Sequence, residues 1–111
     1  MGRFQEKAGQ INIYEVHISS EAQHGLLSIA RNNRQIIIEA IDGLATSPRP
    51  DNSKLLYKAE NLRRLTVGDY RVIYGIEEIL RKVTIELVRH RSIVYTLLAA
   101  LAISVRSRYS R

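Results

Sequence analysis

The chain has 111 residues, 45% of them hydrophobic and 25% charged, which is the composition of one ordinary globular domain. It has no cysteine, which excludes disulfide bridges and thiolate metal sites and is compatible with a reducing cytosol. The formal net charge of +6 lies in the second half: residues 1–60 carry seven basic and seven acidic side chains, whereas residues 61–111 carry ten basic and four acidic ones. Such asymmetry indicates either a polyanionic partner, such as RNA, DNA or an acidic protein segment, or simply a solvated surface.

The sequence has no pattern of a targeting or membrane-spanning segment. Residues 1–10 lack the apolar core of a secretory signal, and the longest apolar stretch, residues 93–103, is too short to cross a bilayer. We therefore expect a cytoplasmic protein without a membrane partner. The expected organisation is a single domain over residues 1–111, with residues 1–10 and 105–111 flexible.

The first part of the chain predicts a strand followed by two helices. Residues 11–18 alternate apolar and polar side chains, which is the pattern of a half-buried strand. Ser20 is followed three residues later by Gln23, the spacing of a capping box that begins a short helix. Asn32 and Asn33 interrupt the apolar periodicity and can cap a second helix. The two helices are predicted to form an αα-hairpin.

The rest of the chain predicts mainly strands. Ser-Pro-Arg-Pro at residues 47–50 ends the second helix, because a residue before proline avoids the helical conformation. Strands are then predicted at residues 54–57, 62–66, 70–76 and 81–88, and a C-terminal helix from residue 92 onward. This order predicts an α+β fold in which the αα-hairpin packs on one face of a mainly antiparallel twisted sheet. The other face is expected to be partly open.

One arginine stands out within the predicted strands. Arg71 lies inside the apolar run Tyr-Arg-Val-Ile-Tyr, where a half-buried strand position is a costly place for a permanent cation. It either forms a cross-strand ion pair, with Glu86 as a candidate partner, or binds an anion on the open face of the sheet. The residue alone does not decide between the ion pair and anion binding.

Three local patterns, taken together, resemble a known family. They are Ser-Pro-Arg-Pro followed by Lys54-Leu55, then Leu-x-Val-Gly-Asp-Tyr-Arg-Val-Ile-Tyr at residues 65–74, then Val-x-His-Arg at residues 88–91 with Tyr95 shortly after. The set, within residues 11–97, is similar to the RelE/ParE superfamily of bacterial and archaeal toxin–antitoxin toxins. Each pattern alone is weak, whereas the combination is fairly specific.

The resemblance implies a small toxin that an antitoxin holds inactive. In the RelE branch the toxin enters the ribosomal A site and cuts mRNA, whereas in the ParE branch a similar fold poisons DNA gyrase. We favour the RelE branch, and the alternatives are a ParE-like toxin or a catalytically degenerate one that only binds its antitoxin. The implied partners are the antitoxin, in a hetero-oligomeric complex, and mRNA on the ribosome with its 16S rRNA. No cofactor or metal is implied.

The resemblance also implies roles for three residues. Arg71 matches the arginine that holds the scissile phosphate, and a guanidinium suits this role because it offers paired donors and a permanent charge. Arg91 matches a second arginine that protonates the leaving group or stabilises its charge; otherwise it is a surface charge at the start of a helix. Tyr95 matches a tyrosine that stacks on a flipped base and aligns the attacking 2′-hydroxyl, and its alternative role is core packing.

The proton acceptor is less clearly indicated. Arg64 stands where RelE toxins carry a lysine proposed as the general base, and a second expected lysine falls on Leu62. Because arginine cannot give up its proton at neutral pH, Arg64 is expected to contact phosphate and the base to lie elsewhere. His90 is the candidate, since histidine titrates near neutrality and the flanking arginines favour its neutral form. Its alternative is a structural hydrogen-bonding role.

Other basic side chains of the second half are candidates for RNA phosphate contacts. They are Lys54, Lys58, Arg63 and Arg89. The alternative for the two lysines is that they lie near turns and are simply solvated. The C-terminal helix is apolar well beyond one stripe, which predicts that an amphipathic antitoxin helix covers part of the toxin at the sheet edge or beside the αα-hairpin.

Overall fold

The computed structural model of the protein describes residues 13–56 and 62–100. Several sequence predictions lie outside these ranges: the start of the first strand, Tyr57, Lys58 and the flexible termini. Within the described residues, no helix is long and apolar enough to cross a membrane.

Five strands form one sheet that carries helices on both faces. The elements are β1 (Glu15–Ile18), α1 (Ser20–Leu27), α2 (Arg31–Gly43), β2 (Ser53–Leu55), β3 (Leu62–Val67), β4 (Tyr70–Glu77) and β5 (Lys82–His90), followed by helical residues 94–100. The strand order is β1-β5-β4-β3-β2, and only the β1–β5 pair is parallel. The predicted α+β architecture is confirmed.

The helix starts differ from the sequence prediction. The hydroxyl of Ser19, not that of Ser20, accepts the backbone N–H of Ala22, so the predicted cap was wrong by one residue. Asn32 and Asn33 do not cap α2, because the helix already begins at Arg31. Strand alternation and helix periodicity locate an element, whereas the capping residue depends on where the backbone leaves the preceding strand.

The larger part of the core lies between the αα-hairpin and one face of the sheet. Its fully buried side chains include Ile37 and Ile41 of α2 together with Val72, Tyr74, Val83 and Ile85 of the two longest strands. α1 approaches β5 so closely that a Cβ on Gly25 would collide with the carbonyl oxygen of Val88. Glycine at this position is what allows the helix to pack against the strand.

A smaller apolar cluster covers part of the opposite face. Val94 packs there on Leu62, Ile73 and Leu87, with Leu97 at the margin. The face that was expected to be partly open is therefore covered along this cluster by the C-terminal helical residues. The uncovered part of this sheet face lies toward the β3–β4 turn and carries arginines.

Candidate functional site

A cavity of about 460 Å³ opens where the C-terminal helical residues meet the sheet. Its lining consists of Arg64, Arg71, His90, Arg91, Ser92 and Tyr95. The set includes all five residues that the sequence indicated as catalytic candidates, although they are spread over thirty-two positions of the chain from 64 to 95. The fold thus brings them around one concave surface.

Strand alternation explains how two of these arginines reach the same cavity. Arg71 lies on the same side of β4 as Ile73, and Arg64 lies on the same side of β3 as Leu62, because side chains two positions apart share a face. The C-terminal helical residues cover this face, and one of them, Tyr95, lines the cavity together with the two arginines.

Arg71 is held by the tight β3–β4 turn. Its Nη1 atom donates to the carbonyl oxygens of Gly68 at 2.8 Å and Tyr70 at 2.9 Å. Gly68 has a φ of 59°, a left-handed conformation that glycine adopts without steric cost. The register puts Arg71 opposite Arg89 and not opposite Glu86. The hydrogen bonds between Arg71 and the described residues use Nη1 alone.

The same turn also positions Arg91. The backbone N–H of Arg91 donates to the carbonyl oxygen of Asp69 at 2.8 Å, and its Nε lies 3.5 Å from the Asp69 carboxylate. Both side chains are more than half exposed, so the ion pair is screened by water and weak. Sequence reasoning missed Asp69, although its place in the Gly-Asp-Tyr-Arg motif was a signal that it belongs to the site.

Arg64 and Tyr95 contact each other across the cavity. The Nη1 of Arg64 donates to the Tyr95 hydroxyl at 3.1 Å, while its Nε is buried and has no hydrogen-bond partner among the described residues. Tyr95 is 42% exposed and Val94 is the buried residue of that turn, so the alternative of core packing does not describe Tyr95. Its ring is available for a ligand to stack on.

His90 caps the beginning of the C-terminal helical turn. Its Nδ1 accepts the backbone N–H of Ser92 at 3.1 Å and lies 2.9 Å from the Ser92 hydroxyl. A ring nitrogen that accepts a backbone N–H carries no proton, so the neutral ring has its proton on Nε2. This geometry supports the structural alternative for His90, because the unprotonated nitrogen is already occupied. Ser92 lines the cavity and was also missed by sequence reasoning.

The proposed phosphate contacts are spread more widely than the catalytic candidates. Lys54 is exposed on the edge strand β2. Arg63 donates to the Ser53 hydroxyl at 3.0 Å and 3.2 Å. Arg89 forms an ion pair with Glu21 of α1 at 3.2 Å. None of these three lines the cavity, and Lys58 lies outside the described residues.

The chemistry of the lining is cationic and aromatic. Three guanidinium groups, one phenol and one imidazole surround the cavity, which is the combination that binds phosphate oxygens and stacks nucleobases. Within residues 13–56 and 62–100, no group of three or more histidine and carboxylate side chains is arranged to hold a metal ion.

The sequence match identifies the family. The family described as ParE toxin of type II toxin-antitoxin system, parDE, matches residues 16–95, which contain every lining residue of the cavity. The chain belongs to the RelE/ParE superfamily. It is therefore a toxin of a type II toxin–antitoxin system. No curated protein sequence matches the chain significantly.

Solved structures of the superfamily share the fold. The RelE–RelB complex from Pyrococcus horikoshii OT3 is 26% identical, with 71% of this chain and 96% of the other covered and a TM-score of 0.64. The RelBE2 toxin–antitoxin complex from Mycobacterium tuberculosis is 25% identical, with 70% and 98% covered and a TM-score of 0.63. A RelE mutant from Escherichia coli in the free state is 18% identical, with 76% and 92% covered and a TM-score of 0.63. The structural neighbours are thus RelE toxins, whereas the family match is to ParE.

Proposed function

We propose that the protein is a ribosome-dependent mRNA endonuclease of the RelE type, which cuts mRNA in the A site and so inhibits translation. The observation that carries this proposal is the single cavity around which Arg64, Arg71, Arg91 and Tyr95 converge. Arginine and tyrosine are also frequent in protein interfaces, so the proposal depends on their convergence around one site and not on their residue types alone. A phosphodiester next to an unstacked base fits that arrangement.

The proposed role of the arginines is to hold and stabilise the phosphate. The nitrogens of Arg71 that are not bonded to the turn bind the scissile phosphate, and Arg64 adds a second donor group. Arg91 faces the leaving oxygen and stabilises its developing charge, because a guanidinium is too weak an acid to be a good proton donor. Donors fixed in this way stabilise a transition state without reorganising during the reaction.

The proposed reaction uses the RNA's own nucleophile. The 2′-hydroxyl loses its proton and attacks the adjacent phosphorus, the bond from phosphorus to the 5′-oxygen breaks, and that oxygen takes up a proton. The products are a 2′,3′-cyclic phosphate and a 5′-hydroxyl end. Tyr95 stacks on the base and aligns the sugar. For His90 to accept that proton, its Nδ1 must leave the Ser92 N–H or its tautomer must change.

An antitoxin is the proposed partner of the resting toxin. The solved neighbours from P. horikoshii and M. tuberculosis are toxin–antitoxin complexes, and we extend that association to this chain. An acidic or amphipathic antitoxin segment is expected to lie against the basic second half, where the chain has ten basic and four acidic side chains. Binding to mRNA and 16S rRNA is proposed from the same charge, and it should weaken as salt rises.

A second candidate function is inhibition of DNA gyrase without nuclease activity. Two observations favour it: the matching family is described as ParE toxin, and Arg64 stands where a base-forming lysine is expected in RelE toxins. A catalytically degenerate toxin that only binds its antitoxin is the remaining alternative. These candidates differ in what the purified protein does to translation and to supercoiling.

The test is primer extension on an mRNA translated in an extract, with a supercoiling assay on gyrase in parallel. The wild-type protein is expected to produce cuts within A-site codons, and Arg71→Ala to reduce their rate by about 10²-fold or more, as the loss of a group that stabilises transition-state charge does. Arg31→Ala is the charge-matched control, since Arg31 is exposed at the start of α2 and does not line the cavity.

Each alternative has its own outcome. Supercoiling that stops while mRNA stays intact contradicts the nuclease proposal and supports the gyrase candidate. Intact mRNA together with normal supercoiling supports the degenerate toxin. Equal loss of cleavage in Arg71→Ala and Arg31→Ala means that overall charge, and not the cavity, is responsible.

A further inference from the structure

A second cleft of about 310 Å³ shares His90 with the arginine-lined cavity. It is lined by Asn33, Ile36, Ile37, Val67, Gly68, Asp69, Tyr70 and His90. His90 borders both spaces, and the β3–β4 turn that holds Arg71 and Arg91 forms part of the cleft wall. The two spaces are thus neighbours at one end of the sheet.

The walls of this cleft are aromatic and apolar. The rings of Tyr70 and His90 lie edge to face, with centroids 5.5 Å apart and an interplanar angle of 87°. Ile37 is fully buried, whereas Ile36, one position earlier on α2, is 55% exposed at the cleft. The half-exposed Ile36 and the half-buried Tyr70 give the cleft an apolar surface that suits an aromatic or heteroaromatic ring.

The polar groups of the cleft differ from those of the cavity. Asn33 is exposed and supplies an amide, which both donates and accepts, and Asp69 supplies a carboxylate. None of the residues lining the cleft is an arginine or a lysine. A phosphate has no cation to bind there, whereas the edge of an uncharged nucleobase has donors and acceptors that match an amide and a carboxylate.

We infer that this cleft is a nucleobase subsite, and that Asn33 sets a base preference there. The ligand is the RNA base on the other side of the scissile phosphate from the base that stacks on Tyr95. One phosphate joins two nucleotides and His90 borders both spaces, so the base that does not stack on Tyr95 is assigned to this cleft. This inference rests on the proposed nuclease function, because it takes the position of the phosphate from it.

The first test compares two neighbouring asparagines of α2. Asn33 lines the cleft, whereas Asn32 is equally exposed and does not, so Asn32→Ala is the matched control for Asn33→Ala. Cut sites are mapped on an mRNA library whose A-site codon is randomised. Asn33→Ala is expected to flatten the preference at one codon position by about fivefold or more, which is the lower end of what one base-edge contact contributes.

The outcomes of this test are distinct. Flattening in Asn33→Ala with an unchanged Asn32→Ala profile supports the subsite. The same preference in Asn33→Ala and wild type, or the same flattening in both variants, overturns it. Cleavage at the preferred codons is expected to fall in Asn33→Ala, which removes the base contact, and to stay at the wild-type rate in Asn32→Ala, since Asn32 lines neither space.

The second test does not depend on cleavage. The toxin is titrated with a trinucleotide whose riboses are 2′-deoxy, which removes the nucleophile, and amide and side-chain NMR signals are followed; a free nucleoside serves as the comparison. Shifts of Asn33, Ile36 and Tyr70, produced at lower concentration by the trinucleotide than by the nucleoside, support the subsite, since the phosphate raises the effective concentration of the base. Shifts confined to the arginine cavity, or none, overturn it. If the wild type fails to cut mRNA, the proposed function fails and this titration still decides on the subsite.

Discussion

The two ends of the β4–β5 hairpin use the same chemical groups for different purposes. Arg71 and Arg91 lie at the end near the β3–β4 turn, and Glu78 and Arg81 lie at the opposite end, where β4 turns into β5. Each end combines arginines with a tyrosine hydroxyl and a carboxylate. The ends differ in how completely those groups satisfy one another.

At the Glu78 end, the carboxylate of Glu78 contacts a tyrosine hydroxyl and two arginines. Glu78 accepts the Tyr14 hydroxyl at 2.9 Å and 3.1 Å and Arg49 at 2.6 Å, and Arg81 lies 3.8 Å away. Arg81 also donates to the Tyr14 hydroxyl at 3.1 Å, and its guanidinium lies 5.2 Å from the centre of the Tyr14 ring. The network ties the start of β1 and the segment after α2 to the hairpin, so its role is structural.

At the cavity end, the cations outnumber the carboxylates. Three arginines line the cavity and no carboxylate of the described residues does; Asp69, outside the lining, lies 3.5 Å from the Nε of Arg91. The buried Nε of Arg64 has no partner there. An arginine donor that is buried without an acceptor costs stability, and the Nε of Arg89, outside the cavity, is buried in the same way. The two ends therefore use the same residue types and differ in how many acceptors surround the arginines.

The largest expected effect comes from removing one arginine at each end. Arg91→Ala is expected to reduce mRNA cleavage by about 10²-fold, because it removes charge stabilisation at the leaving oxygen, with little change in Tm. Arg49→Ala removes the shortest contact of Glu78 and is expected to leave cleavage within about twofold of wild type. Its cost is about 1 kcal/mol or less of unfolding free energy, since the ion pair is half exposed.

Cleavage rates by primer extension and unfolding by urea decide this comparison. The proposed difference between the two ends is contradicted if both variants lose cleavage. It is also contradicted if Arg91→Ala lowers the unfolding free energy as much as a core truncation would. Urea midpoints with unchanged slopes are required, because a changed slope means a different unfolding transition.

The sequence predicted which residues line the cavity better than it predicted their hydrogen-bond partners. The resemblance to the RelE/ParE superfamily indicated Arg64, Arg71, Arg91 and Tyr95, and His90 was a candidate for its acid–base chemistry. All five line the cavity. The contact of Arg71 with Gly68 was not predictable, because it depends on how the turn bends. The Tyr14–Glu78 contact joins residues sixty-four positions apart, and no local pattern encodes such a pairing.

A smaller effect is expected from deleting the tyrosine hydroxyl at each end. Tyr14 is 8% exposed, and its hydroxyl both donates to Glu78 and accepts from Arg81. Tyr14→Phe is therefore expected to cost about 1–2 kcal/mol of unfolding free energy, as the loss of a hydrogen bond to a charged group does. Tyr95→Phe keeps the stacking ring and removes a contact at an exposed position, so its unfolding free energy is expected to change by less than about 0.5 kcal/mol.

Urea unfolding measures the difference in stability between Tyr14→Phe and Tyr95→Phe. Primer extension measures the cleavage rates of the same variants. Tyr14→Phe should leave cleavage unchanged. Tyr95→Phe should lower it modestly through alignment of the 2′-hydroxyl, while Tyr95→Ala, which also removes the ring, should lower it further. Equal destabilisation by Tyr14→Phe and Tyr95→Phe would contradict the view that only the Glu78 end is structural.

The smallest effect is a pH dependence of stability that arises from Glu78. The hydrogen bond from Arg49, with a further one from Tyr14, holds the pKa of Glu78 below its ordinary value of 4.5. Because the folded state favours the charged form, this stabilisation is present above pH 4.5 and is lost as the pH falls through the lowered pKa. Glu78 is half exposed, so the contribution is below about 1 kcal/mol.

Unfolding free energies of wild type and Glu78→Gln at about pH 6 and about pH 3 measure this contribution. The wild type is expected to lose more stability than Glu78→Gln over that interval, since glutamine has no carboxylate to protonate. Glu39→Gln is the control, because Glu39 is exposed on α2 and forms no ion pair within the described residues. If Glu78→Gln follows the wild-type curve, the carboxylate at this end is not more stable charged in the folded state, and the two ends of the hairpin do not differ in the way their contacts indicate.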